Sequence, residues 1–153
     1  MSAPALPLRA MAAMLAGLAW PLPATAQPAD GAIRAALAQW TEDFNAGRAD
    51  RVCDLFSRDL QADVRHAPPR DFAGQCALLR KALADPKTGL TYTHAIRDIV
   101  VDGRMAAVRI VWTTVARDKA SGRIETSVDD GLDVFRREDD GRWRILRYMA
   151  YER

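Results

Sequence analysis

Apolar residues recur at helical spacing in the first part of the chain and at strand spacing in the second. Ile33, Leu37, Trp40 and Phe44 are four, three and four positions apart, which places them on one stripe of a helix capped by Asp30 and ending near Gly47. Val52, Leu55 and Phe56 predict a second, short helix over about 50–57 with Cys53 also pointing inward. An extended piece follows from Leu60 to His66 and stops at Pro68-Pro69. Asp71 then caps a third helix whose stripe is Phe72, Cys76, Leu79 and Leu83.

From Leu90 onward the chain is rich in Thr, Val, Ile and aromatics, broken at Asp102-Gly103, around Ser121-Gly122 and at Asp140-Gly141. This predicts a four-stranded antiparallel meander and hence an α+β domain. A two-residue turn at Asp102-Gly103 pairs Val101 with Arg104, Ala95 with Ile110, and Thr93 with Trp112. The opposite face carries Tyr92, His94, Ile96, Arg109 and Val111. Because both faces of strand 104–117 are largely apolar, helices are expected to cover one and either a partner chain or the C-terminal strand the other, so a homodimer is expected. In the last hairpin, a turn at Asp140-Gly141 sets Asp133 opposite Tyr148 and Phe135 opposite Leu146, all four on one face. Arg147 and Trp143 share the other face with Ile145 and Met149, and Arg147 is a candidate dimer contact.

Composition narrows the picture further. The 153 residues are 49% hydrophobic and 27% charged, with a net charge of +2, so a single globular domain is expected and a nucleic-acid partner is not. Residues 1–26 read as a secretory signal peptide: Arg9, the apolar run Ala10 to Trp20, then Ala24-Thr25-Ala26 at cleavage spacing. A helix of about eleven apolar residues is about 16 Å long, against roughly 30 Å of bilayer hydrocarbon, so no anchor is expected. The mature domain is then 27–153, periplasmic or secreted. Export puts Cys53 and Cys76, the two cysteines, in an oxidising compartment, where a structural disulfide is the economical reading. Closing a loop of about two dozen residues contributes roughly 3 kcal/mol.

Three helices before a curved antiparallel sheet, with Phe44-Asn45-Ala46-Gly47 ending the first and Leu55-Phe56 in the second, resemble the nuclear transport factor 2-like superfamily. The closing segments Gly131-Leu132-Asp133-Val134-Phe135-Arg136 and Asp140-Gly141-Arg142-Trp143-Arg144-Ile145 resemble its polyketide-cyclase-like and ketosteroid-isomerase-like branches. The resemblance implies a cone-shaped sheet wrapped around the helices, a small apolar ligand at the open end, and pairing through the outer sheet face. Isomerase chemistry in that branch needs a carboxylate base, a tyrosine and a protonated aspartic acid. By the resemblance Asp133 matches the donor acid, Trp40 stands where the tyrosine belongs, and Val64 falls at the base position. Asp63, next to it, points to the other side of a regular strand.

The resemblance thus puts Asp133 and Tyr148 on the cone's inner face, where a desolvated carboxyl has a raised pKa. The alternative is a structural hydrogen bond between the two. Candidate chemistry falls on Asp133, Tyr148, His66 and Asp63, and ligand contact on Trp40, Phe44, Val64, Phe135, Leu146 and Trp112. Phe72 is expected in the core, and His94 is expected to be a sheet residue. His66 and His94 are the two histidines and show no metal-ligand spacing, and Ser57, Ser121 and Ser127 lack a nucleophile turn, so no metal or cofactor is expected. The leading expectation is an exported small-molecule-binding domain with little or no catalysis. The alternatives are an isomerase, cyclase or dehydratase, and a structural homodimer module.

Overall fold

The computed structural model describes residues 28–153; the segment 1–26, expected to be a signal peptide, lies outside the described residues. The elements are α1 (Ala29–Asn45), β1 (Phe56–Val64), β2 (Arg70–Asp71), α2 (Phe72–Leu83), β3 (Thr88–Asp102), β4 (Met105–Asp118), β5 (Ile124–Arg137) and β6 (Trp143–Glu152). The strands form one curved, open sheet in the order β2-β1-β6-β5-β4-β3. β3 to β6 are the expected meander, whereas β1 runs parallel to β6 and continues the sheet beyond it.

α1 buries the stripe Ile33, Leu37, Trp40 and Phe44. Asp30 does not cap it. Pro28 holds the N-cap position without a side-chain bond, and Asp30 sits inside the first turn, paired with Arg34 one turn on. At the other end Asn45 accepts from the Tyr92 N–H and donates to the Tyr92 carbonyl, both at 2.8 Å, so its amide serves as a short strand beside the edge strand β3. Gly47 then turns the chain at φ 71°, a conformation side chains resist.

The short second helix is replaced by a run of turns over 49–55 leading directly into β1, so the described residues form two helices rather than three. Isolated i→i+3 and i→i+4 bonds, such as Asp54 N–H to Arg51 O, close these turns. Their apolar residues Val52, Cys53 and Leu55 still face the core. Asp71 does cap α2, accepting from the Gly74 N–H at 2.8 Å. Asp71→Ala is expected to lower stability by about 1 kcal/mol, read as a lower urea midpoint with an unchanged m value. Cys76 on α2 is bonded to Cys53 in the turn segment, as expected.

Neither hairpin has the expected turn: the β3–β4 loop is two residues long but falls at Gly103-Arg104, and the β5–β6 loop is longer than two residues. At the β3–β4 end Asp102 pairs with Met105 around Gly103, and an irregularity at Arg97 then sets Ile96 opposite Ile110 and His94 opposite Trp112. The expected pairs Val101–Arg104, Ala95–Ile110 and Thr93–Trp112 are therefore not formed, and Tyr92, His94 and Ile96 share the inner face with Trp112. A one-residue irregularity is enough to exchange faces, because side chains alternate along a strand. In the last hairpin Asp133 does face Tyr148, but Phe135 faces Ile145 and Leu146 is the extra residue of a bulge. That bulge turns Trp143 and Ile145 inward, correcting their expected place beside Met149 on the outer face.

Candidate functional site

A cavity of about 300 Å³ lies between α2 and the inner face of the sheet, at the small end of the range for ligand sites. α2 supplies Gln75, Leu78, Leu79 and Ala82 as one wall. Trp40, Tyr92 and Trp112 supply a second, with Trp40 edge-on to both others at centroid distances of 5.5 and 5.2 Å. The Trp40 ring nitrogen donates to the Val52 carbonyl at 2.8 Å, so this side chain offers the cavity ring surface rather than a donor.

Asp133 reaches the cavity from the inner face of β5 and is 2% exposed. Its Oδ2 is buried with no hydrogen-bond partner among the described residues. Burial pushes its pKa up to about 7, because the carboxylate is denied the solvation that would stabilise its charge. The acid is therefore largely neutral below that pH and carries an O–H that can donate. Gly131, two positions back on the same face, leaves room for the surrounding rings: a Cβ there would lie 3.0 Å from Ile110 Cγ2 and 3.6 Å from Trp112.

Tyr148 does not bond to Asp133. Its hydroxyl donates to Gln75 Oε1 at 3.0 Å and accepts from an Arg70 Nη at 3.2 Å, while Arg70 Nε donates to the same Gln75 oxygen at 2.9 Å. Burial raises the Tyr148 pKa, and the Arg70 guanidinium opposes that rise. Four residues before Asp133, and on the same face, Asp129 also lines the cavity. Its pKa is raised by burial first, then by the neighbouring charges of Glu152 and Asp130.

The cavity brings together five of the expected residues: Trp40, Val64, Trp112, Asp133 and Tyr148. Phe44 and Phe135 lie instead in the core, at 1% and 0% exposure, and Ile145 lines the cavity where Leu146 was expected, because of the bulge. Asp63 is exposed on the far side of β1 from Val64, as strand alternation requires. His66 is exposed in the turn after β1 at φ 65°. His94 is a sheet residue with Nδ1 2.8 Å from Thr41 Oγ1, and burial lowers its pKa.

Sequence reasoning missed Arg70, Gln75, Tyr92 and Asp129. Period-two alternation back from Asp133 places Asp129 on the same face, so that signal was present. Tyr92 was hidden by the irregularity at Arg97, and Arg70 by the brevity of β2, whose Arg70 pairs with Ala62.

The family model described as a SnoaL-like domain matches residues 37–145. Among solved structures, a ketosteroid isomerase-like protein from Erwinia carotovora atroseptica superposes with a TM-score of 0.66 at 18% identity, over 80% of this chain and 94% of that one. An NTF2-like protein with a cystatin-like fold from Novosphingobium aromaticivorans gives 0.64 at 23% identity, over 80% of each chain. A type 2 hexachlorocyclohexane dehydrochlorinase gives 0.67 at 10% identity, over 80% of this chain and 84% of that one. Such identities carry the fold alone. No curated protein matches the sequence.

Proposed function

The chain belongs to the SnoaL-like domain family, and from that premise we propose that it is an exported domain that binds a small, largely apolar molecule bearing a hydrogen-bond-accepting oxygen. Asp133, in its neutral form, is the donor to that oxygen, and catalysis is slight or absent. The observation that carries this reading is the buried, unpartnered Asp133 Oδ2 beside an apolar cavity. Buried polar atoms normally find partners, and a ligand oxygen supplies the one missing here.

Export is supported by the signal-like segment 1–26 and the Cys53–Cys76 disulfide. Among the described residues no helix is long and apolar enough to cross a membrane. A homodimer through the outer sheet face is supported by Leu132, Met149 and Tyr151, exposed side by side on β5 and β6.

A catalytic reading as an isomerase, cyclase or dehydratase has one observation in its favour: Asp129, with a raised pKa, shares the cavity with Asp133 and stands in for the exposed Asp63 and His66 as base. On that reading Asp129→Asn abolishes turnover, whereas on the binding reading it leaves affinity for neutral compounds within a few fold.

Thermal-shift screening of neutral aromatic and alicyclic ketones at about pH 6 tests the proposal. At a hundred times Kd a ligand stabilises by about 2.7 kcal/mol, so a hit raises Tm by several degrees, and Asp133→Ala removes most of that rise. Absence of any shift across the panel contradicts the binding reading.

A further inference from the structure

We propose that the cavity is built for a monocarboxylate: an apolar body in the cavity, with its carboxylate held by the Arg70 guanidinium beside the Tyr148 hydroxyl. This rests on the binding reading above and names the chemical class of its ligand.

Arg70 is the cavity's one lining cation among the described residues, and none of the salt bridges found among them includes it. Its two side-chain hydrogen bonds go to neutral acceptors, Gln75 Oε1 and the Tyr148 hydroxyl oxygen. A guanidinium has five N–H donors, so donors are left over for a ligand. The nearest acid in sequence, Asp71, is committed to capping α2. The two cavity acids do not neutralise Arg70 either. Neither Asp133 nor Asp129 takes part in any of the salt bridges found among the described residues.

A half-buried cation whose partners are all neutral is costly in an apolar wall, and an anion that replaces the lost solvation is the natural counterpart. Arginine binds carboxylates through two parallel bonds, and the Tyr148 hydroxyl lies next to that fork. One guanidinium calls for one negative charge. A dianion such as a phosphate monoester would leave its second charge uncompensated, whereas a monocarboxylate leaves an apolar remainder suited to the walls formed by Trp40, Trp112 and Leu79.

Calorimetric titration of the wild-type protein with phenylacetate, its neutral isostere phenylacetamide, and acetophenone, all at about pH 6, tests this. The acid is expected to bind roughly tenfold or more tighter than the amide, the discrimination of a charge-assisted pair. Arg70→Gln is expected to erase the difference and Arg70→Lys to keep part of it. The wild-type comparison of acid with amide stands without any variant, and Tm confirms that each variant folds. Equal binding of acid and amide, or an acid preference that survives in Arg70→Gln, overturns the arginine proposal and leaves the cavity reading intact. Binding of acetophenone without phenylacetate has the same meaning. If none of the three binds, both readings fall.

Discussion

Serine at both Cys53 and Cys76 lowers stability by about 3 kcal/mol or more, and Tm by roughly 10 °C. The disulfide spans 23 positions and encloses β1 and β2, so its loss frees a loop of that length in the unfolded chain. Both sulfurs are in the core, at residues 7% and 3% exposed, and serine hydroxyls there add the cost of polar groups without assigned partners. The loss also reaches the cavity. Leu55 and Phe56 follow Cys53 within three positions, Gln75 precedes Cys76 by one, and all three line the cavity. The bond thus ties the α2 wall to the strand entering β1, and the doubly substituted protein is expected to lose ligand-induced Tm shifts even below its own melting range. Denaturant titration without reductant checks the stability effect, and reduced wild type should behave like the variant. A midpoint within about 1 kcal/mol of wild type contradicts a structural role for the bond.

Asp133→Asn makes the protein more stable than wild type above neutral pH. The folded-state pKa of Asp133, at about 7, lies above its ordinary value of 3.8, so between these values the folded protein holds a proton that the unfolded chain gives up. Stability is then fully present below about pH 3.8, declines as pH rises toward 7, and stays at the lower level above it. Three pKa units correspond to at most about 4 kcal/mol. Relaxation of the protein around a buried charge reduces this, and about 2 kcal/mol is the effect expected at pH 8. Asparagine keeps the shape without the titration, so the two proteins should be nearly equal at pH 4 and diverge by that amount at pH 8, with the variant higher. Parallel stability profiles across this range contradict a desolvated Asp133.

Long periodic segments were legible in the sequence because their signal repeats. Four apolar positions define α1, and the Asp71 cap with its stripe defines α2. The turn segment 49–55 was misread because Val52, Leu55 and Phe56 have helical spacing over a stretch too short to pay for nucleating a helix, and core packing holds them without one. The Asp133–Tyr148 pairing emerged correctly from an oversimplified turn: the loop is longer than two residues, and the bulge at Leu146 restores the register. The same bulge exchanged Leu146 for Ile145 at the cavity, since bulges leave little trace in hydrophobic alternation. Arg70 could be found only by tertiary pairing, because the two residues of β2 are too few to show a period.

The central claim is that Asp133 is a neutral acid facing a ligand cavity. Carboxyl-carbon NMR titration of Asp133 in the ligand-free and acetophenone-saturated protein measures it directly. The account predicts a midpoint near 7 in the free protein, moved upward by a ligand that accepts the acid's proton in a hydrogen bond. A midpoint near 4, unchanged by ligand, would show that this carboxyl is an ordinary charged group.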